Sequence, residues 1–228
     1  MRQKKSILLA IMRCSEADEI REQLAQSYSV EMAISAKAVA NSLEQRHSHL
    51  VLISADLPGT GGLTLIRNLR RYYEVPIIFL LESADESAIV DALDAGANDV
   101  LILPFGRAEH LARIRAALRH GSSTPSIKVG QFSAGGLTIN YASRIVCVGD
   151  KHVHLTPIEF RIMTLLTLNA GKVLTHDQII NEIWGPYNSD NLVLRVNMAN
   201  IRRKIEPNPA EPRYVLTEVG VGYRAISE

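Results

Sequence analysis

The stretch from Asn191 to Glu206 reads NLVLRVNMANIRRKIE. On a helical wheel, four of its apolar residues form one seam, separated by steps of 4, 3 and 4 residues: Leu194, Met198, Ile201 and Ile205. There is no acidic residue between Asn191 and Ile205, whereas an ordinary solvated helix usually mixes both signs of charge. The stretch therefore predicts a helix that is packed along one stripe and presents basic and amide side chains to an anion.

The wheel also predicts which side chains point away from that seam. Val196, Asn200 and Arg203 lie on the opposite side, and four residues lie on the two shoulders: Arg195 and Arg202, then Asn197 and Lys204. The alternative is a solvated helix without a ligand.

The segments around this helix predict a small domain. A proline-rich run at 207–212 stops the helix. Residues 214–218 and 223–226 then alternate like two strands around a glycine turn. Upstream, 157–168 and 176–184 have helical patterns, and each is preceded by a threonine in the N-cap position. Three helices and a terminal hairpin predict a winged helix-turn-helix.

Four segments carry a family resemblance: LTPIEF (155–160), GKVLTHDQIINEIWG (171–185), IRRKI (201–205) and TEVGVGYR (217–224). They closely resemble the DNA-binding domain of OmpR/PhoB-family response regulators. The resemblance implies that the helix at 191–206 enters the major groove of double-stranded DNA. In the groove, Val196 would suit a thymine methyl, Asn200 an adenine edge, and Arg203 a guanine or a phosphate. The four shoulder residues would contact backbone phosphates: Arg195, Arg202, Asn197 and Lys204. It also implies that Thr217, Tyr223 and Arg224 of the wing touch phosphates or the minor groove. Trp184 is expected mainly in the core.

The first half has a different pattern. Five apolar runs read as strands: 7–12, 30–34, 50–53, 77–81 and 100–103. Five helical patterns alternate with them: 16–27, 36–46, 62–72, 85–95 and 107–119. This order predicts an α/β domain with a parallel sheet covered on both faces. The segments LVLISADLPGTGG (50–62), PIIFL (76–80), ALDAGAND (92–99) and LPFG (103–106) resemble a response-regulator receiver, which implies a five-stranded, doubly wound, CheY-like fold.

The domain boundaries follow from composition. A short polar run at 121–126 is the predicted linker between a receiver-like domain at 1–120 and a winged-helix domain at 127–228. Short strand-like runs within 127–155 predict a small antiparallel sheet before the helices.

Receivers of this family transfer a phosphoryl group to an aspartate, assisted by Mg²⁺-binding carboxylates, a hydroxyl and a cation. Here Ser54 occupies the acceptor position, four residues before Pro58, and residues 11–14 (IMRC) supply no carboxylate after the first strand. Leu81 stands at the hydroxyl position and Leu103 at the lysine position. We therefore predict a receiver that is not regulated by aspartyl phosphorylation.

Three alternatives stay open. Other carboxylates near the same sheet edge could form a displaced acidic site: Glu16, Asp18, Asp56 and Glu82. The crevice at Ser54, Leu81 and Leu103 could bind a small molecule or a partner protein. The winged helix could act as an adaptor that contacts RNA polymerase instead of DNA.

The family pairs its receivers through the fourth helix, fifth strand and fifth helix. Six residues match that face here and predict a homodimer: Val90, Leu93, Asp99, Glu109, Ala112 and Arg113. The alternative is a monomer, in which Asp99 and Arg113 form a surface bridge within one chain that contributes little energy. Ile89 and Asn98 depart from the family pattern.

The totals exclude several other classes. No apolar run reaches the roughly 18 residues of a membrane span, and the two cysteines, Cys14 and Cys147, fit a reducing cytoplasm. The histidines at 152, 154 and 176 lack clustered partners, so we expect neither a metal nor a cofactor, and no enzymatic activity.

Overall fold

The computed structural model describes residues 4–12, 15–45, 48–104, 107–120, 130–185 and 191–227 of the chain. The chain divides into two compact units, residues 1–122 and 123–228, and each is described by itself. The predicted linker at 121–126 lies outside the described residues. None of the helices in the described part of the chain has the length and hydropathy needed to cross a bilayer.

The first unit is an alternating α/β domain. Its strands are β1 (Ser6–Ala10), β2 (Ser29–Ala33), β3 (Leu50–Ser54), β4 (Ile77–Leu81) and β5 (Asp99–Ile102). Its helices are α1 (Ser15–Ala25), α2 (Ala36–Glu44), α3 (Gly62–Leu69), α4 (Glu86–Asp94) and α5 (Arg107–His120). The strands form one parallel sheet in the order β2-β1-β3-β4-β5. The predicted five-stranded, doubly wound fold is therefore confirmed.

The apolar composition of the strands explains why this sheet is covered on both faces. Every residue of β3 and β4 is buried, because the helices pack on both sides of a parallel sheet. One core cluster joins Leu9, Leu52 and Ile78 of the sheet to Leu24 of α1 and Ile114 of α5. This packing holds the carboxyl ends of the strands at one edge, where a receiver has its active crevice.

The second unit contains two small sheets around three helices. A four-stranded antiparallel sheet has the order of its strands in the chain: β6 (Gln131–Ala134), β7 (Leu137–Asn140), β8 (Ile145–Val148) and β9 (Lys151–Val153). The helices are α6 (Pro157–Leu168), α7 (His176–Ile183) and α8 (Asn191–Ile205). The second sheet contains β10 (Leu174–Thr175), β11 (Val215–Glu218) and β12 (Gly222–Ala225). This is the predicted winged helix-turn-helix.

Both predicted N-caps are confirmed as capping boxes. The Thr156 hydroxyl accepts a hydrogen bond from the backbone N–H of Glu159, and the Glu159 carboxylate accepts one from the Thr156 N–H. Thr175 and Gln178 make the same reciprocal pair at the start of α7. Each pair satisfies backbone donors that a helix leaves unbonded at its first turn, which fixes where the two helices begin.

The wing has a third strand that the sequence pattern does not predict. β10 pairs antiparallel with β12, so that Leu174 lies opposite Tyr223 and Thr175 lies opposite Gly222. A Cβ added at Gly222 would lie 1.9 Å from the Leu174 carbonyl oxygen. Glycine is therefore required here by close approach of two backbones, and the wing is tied to the residues that lead into α7.

Candidate nucleic-acid interface

The apolar seam of α8 lies where the wheel predicts it. Leu194, Met198, Ile201 and Ile205 are 0–2% exposed. The helix contacts both α6 and α7. It is therefore held from two sides, and its buried surface is wider than one stripe.

Part of the predicted outward face of α8 is buried. Val196, Asn197 and Asn200 are 8%, 1% and 6% exposed, respectively. The Asn197 side-chain amide donates a hydrogen bond to the Val193 carbonyl, one turn back in the same helix (2.8 Å). The Asn200 Oδ1 is buried and has no hydrogen-bond partner within the described structure. These three side chains are turned into the domain and do not form its outer surface.

The surface that α8 exposes is rotated from the predicted one. Four residues of the helix are exposed: Asn191, Arg195, Ala199 and Arg203. Leu192, which follows Asn191, is half-buried. Steps of three and four residues put these positions on one helix face. Two arginines thus flank a small alanine in the middle of the helix. Ala199 is the member that sequence reasoning missed, because a small apolar residue carries no signal of its own.

Lys204, which the sequence predicts as a shoulder cation, has a partner within the domain. Its Nζ lies 2.6 and 2.8 Å from the two carboxylate oxygens of Glu159. The Glu159 side chain is only 3% exposed, whereas that of Lys204 is 33% exposed. The ammonium is therefore engaged in neutralising a buried carboxylate of α6, which would be costly to leave unpaired.

Arg202 is also engaged within the domain. Its Nε and Nη2 donate to the Val215 carbonyl at 3.2 and 2.8 Å, and Nη2 donates to the Thr217 hydroxyl at 2.7 Å. Its guanidinium carbon lies 5.6 Å from the centroid of the Tyr223 ring. The sequence predicted a phosphate contact for Arg202, whereas the structure gives it partners on both strands of the wing hairpin.

The three predicted wing residues differ in exposure. Thr217 is exposed, whereas Tyr223 is 6% exposed and packs edge to face against His176. Burial raises the pKa of the Tyr223 hydroxyl, although the nearby charges of Arg202 and Arg195 act to lower it. The Tyr223 ring therefore serves mainly in packing, close to the charges of Arg202 and Arg195.

Arg224, the third predicted wing residue, is paired across the hairpin. Arg224 Nη2 lies 2.8 Å from Glu218 Oε1, and both side chains are about one-third exposed. Beyond this pair, the turn presents Val219, which is 90% exposed. Trp184, at the end of α7, is 5% exposed, which confirms the expectation that it belongs mainly to the core.

In the first unit, the carboxyl edge of the sheet holds the residues that the sequence analysis assigns to the family's phosphorylation positions. Ser54 is buried at the end of β3, and its hydroxyl donates a hydrogen bond to Asp56. Leu81 is buried at the end of β4, and Leu103 packs against the core cluster. Two leucines thus occupy apolar surroundings at positions where the family has polar groups.

The carboxylates of the predicted displaced site are spread over this edge. Asp18, Asp56 and Glu82 are exposed, and the side chain of Glu16 lies outside the described residues. Among the described residues, no group of three or more metal-ligating side chains is positioned to hold an ion.

The predicted pairing face of the receiver is partly internal. Leu93 and Ala112 are 2% and 9% exposed, so the apolar patch expected there is reduced to Val90, which is half-buried. Arg113 Nη1 lies 3.2 and 3.3 Å from the two carboxylate oxygens of Asp99 in the same chain. This ion pair links α5 to β5 within the chain.

Two further positions complete that face. Asn98 stands where the family has an aspartate, and its Oδ1 accepts hydrogen bonds from the Ile77 N–H (2.7 Å) and from Arg70 Nη2 (2.6 Å). It therefore links the start of β5 to the start of β4. The side chain of Glu109 lies outside the described residues.

Comparisons with known proteins agree with both units. Residues 15–115 match the model of the response regulator receiver domain, and residues 150–225 match that of the C-terminal domain of transcriptional regulatory proteins. The KDP operon transcriptional regulatory protein KdpE of Escherichia coli K12 is 44% identical over 181 residues, covering 78% of this chain and 80% of that relative. KdpE of Mycobacterium tuberculosis H37Rv is 36% identical over 195 residues, covering 84% and 86%.

Solved structures give the same architecture. The response regulator DrrB of Thermotoga maritima, an OmpR/PhoB homologue, is 26% identical, covers 98% of this chain and 100% of its own, and superposes with a TM-score of 0.52. A RitR mutant is 23% identical with the same coverage and a TM-score of 0.76, which shows the shared fold. A receiver joined to a winged helix, together with this identity to full-length relatives, means that the chain belongs to the OmpR/PhoB family of DNA-binding transcriptional response regulators.

Proposed function

We propose that this regulator reads specific DNA sequences with the exposed face of α8, without control by aspartyl phosphorylation, and acts as a homodimer. The observation that carries the DNA-reading part is the line of exposed residues Arg195, Ala199 and Arg203. Their spacing aligns them along one side of a helix that is anchored on its other sides. An element of this shape and charge fits the major groove.

The face divides into two kinds of contact. The Ala199 methyl is the right size for a thymine methyl, and its small volume lets the helix approach the base edges. Arg195 and Arg203 lie one turn away on either side, where a guanidinium reaches a guanine edge or a phosphate. Asn200, which the sequence analysis favoured for an adenine edge, is buried and is no longer part of the proposed reading surface.

Selection from fragmented genomic DNA tests this proposal. The full chain is immobilised, fragments are bound at physiological salt, and the retained pool is sequenced. We expect one enriched motif, and an Ala199→Glu variant should lose it. Equal recovery of all fragments would contradict sequence reading. A protein that only contacts RNA polymerase would likewise enrich nothing.

Independence from phosphorylation is supported by the side chains at the receiver edge. A serine hydroxyl is not ionised at neutral pH, and the hydroxyl of Ser54 is bonded to Asp56. Leu81 is buried and Leu103 is packed against the core, so a phosphoryl dianion at this edge would lie against apolar surfaces. Burying charge without partners is strongly unfavourable.

Incubation with radiolabelled acetyl phosphate and Mg²⁺ tests this second part. We expect no Mg²⁺-dependent incorporation into the full chain. A KdpE relative assayed in parallel controls for the reagent. Stoichiometric labelling of this chain would overturn the proposal, and mapping the label would show whether a displaced carboxylate accepts the group.

The homodimer is proposed through the face formed by α4, β5 and α5. Val90 is the apolar member of the predicted set that stays half-exposed there. The Asp99–Arg113 pair links α5 to β5 of this face within each copy. Sedimentation equilibrium of the full chain tests the pairing, and a monomer throughout the micromolar range would contradict it.

A further inference from the structure

We propose that Arg202 is a positioning residue that fixes the wing against α8, and not a ligand of the DNA phosphates. The inference rests on the DNA-reading role proposed for α8 and says how the two reading elements are held together. It separates Arg202 from Arg195, although both are arginines on the same helix and the sequence pattern assigns both to phosphates.

The first support is the set of acceptors along one edge of the guanidinium. Nε and Nη2 both donate to the backbone carbonyl of Val215, and Nη2 also donates to the Thr217 hydroxyl, at distances of 2.7–3.2 Å. Val215 and Thr217 are alternate residues of β11, the first strand of the wing hairpin. Arginine suits this site because its planar fork can bond two acceptors in one plane.

The second support is the contact on the face of the guanidinium. Its central carbon lies 5.6 Å from the centroid of Tyr223 in β12, a distance at which a cation is attracted to an aromatic ring. The ring is 6% exposed, and it packs against His176 at the start of α7, with centroids 5.4 Å apart and planes at 80°. Arg202 is therefore held on one edge by β11 and on one face by β12.

The consequence for DNA binding is pre-organisation. The exposed arginines of α8 and the tip of the wing must reach the duplex together. If the wing could move relative to α8, binding would cost the conformational entropy of that movement. A side chain that holds the wing against α8 before binding lowers this cost. The loss of Arg202 should therefore weaken contacts made by the wing, several residues away, while contacts of α8 remain.

Salt dependence separates the two roles. Each phosphate ligand contributes about −0.9 to the slope of log affinity against log salt. We expect Arg195→Ala to make the slope shallower by about 0.9, whereas Arg202→Ala should weaken binding and change the slope by less than half as much, because the cation it removes is bonded within the domain. An equal change of slope in both variants would overturn the inference. If Arg195→Ala leaves the slope unchanged, the proposed reading face of α8 fails instead.

Two conservative variants keep the test decisive if Arg202→Ala does not fold. Arg202→Lys retains the charge but loses the fork, and Thr217→Val removes one acceptor. Arg202→Lys should weaken binding by about tenfold, and the double variant should be no weaker than Arg202→Lys, because the bond that Thr217→Val removes is one of those that Arg202→Lys already loses. Hydroxyl-radical footprints should lose protection beside the wing and keep it in the groove occupied by α8. Near-normal affinity and footprint of Arg202→Lys would contradict the positioning role.

Discussion

Lys204 Nζ lies 2.6 Å from Glu159 Oε2, so that an ion pair joins α8 to α6 across 45 residues of sequence. The same carboxylate accepts a hydrogen bond from the Thr156 N–H. One buried side chain therefore caps α6 and anchors α8. The charge of Lys204 is therefore used within the fold.

Lys204→Met should accordingly lower the free energy of unfolding by about 1–3 kcal/mol, because it leaves a buried carboxylate with one partner fewer. Urea denaturation of the full chain measures this, with Lys172→Met, at an exposed turn, as the matched control. The salt slope of DNA binding should not change. A variant of normal stability and shallower slope would mean that Lys204 is a phosphate ligand after all.

Ala199→Glu tests the rotated reading face directly. A carboxylate placed between Arg195 and Arg203 would meet the negative surface of the duplex, and we expect at least a tenfold loss of affinity, about 1.4 kcal/mol. Stability should stay within ±0.5 kcal/mol, as is usual for an exposed site. Ala142→Glu, exposed in the turn between β7 and β8, is the control. Unchanged binding by Ala199→Glu would place the interface elsewhere.

Gly222→Ala tests the third strand of the wing. The added methyl would lie 1.9 Å from the Leu174 carbonyl oxygen, so the strands must separate. We expect a loss of about 1–3 kcal/mol of stability, as for other overpacked sites. Hydrogen exchange should show faster exchange of backbone amides in β10 and β12. Unaltered exchange would mean that these strands do not pair as described.

Val90→Glu tests the receiver pairing. A charge in a self-complementary interface meets its own copy across the two-fold axis, and desolvating it is costly. We expect the variant to sediment as a monomer at concentrations where the unaltered chain is a dimer. Tyr72→Glu is the control in the same domain, because Tyr72 is 79% exposed at the end of α3. Identical sedimentation of all three proteins would contradict pairing through Val90.

Local patterns were sufficient to predict the elements and their order, with the exception of β10. Continuous apolar runs mark the buried strands, and the threonines before α6 and α7 make the capping boxes that their spacing predicts. These features depend on residues within one or two turns of each other. The short strand β10 was missed because its two residues, Leu174 and Thr175, pair only when the distant Gly222 approaches them.

The site was harder to predict because it depends on tertiary packing. A wheel with one seam gives one buried direction, whereas the structure buries Val196, Asn197 and Asn200 as well as the seam. The partners of Lys204 and Arg202 lie far away in sequence, and nothing near those residues identifies them. A basic residue on the right helix was therefore not enough evidence for a phosphate contact.

One titration tests both the proposed DNA reading by α8 and the proposed absence of a phosphoryl switch in the receiver. The affinity of the full chain for its selected DNA is measured by fluorescence anisotropy, with and without beryllofluoride and Mg²⁺, which together mimic an aspartyl phosphate. We predict specific binding whose dissociation constant is the same under both conditions within about twofold, roughly 0.4 kcal/mol. A tenfold tightening by beryllofluoride and Mg²⁺ would contradict the account.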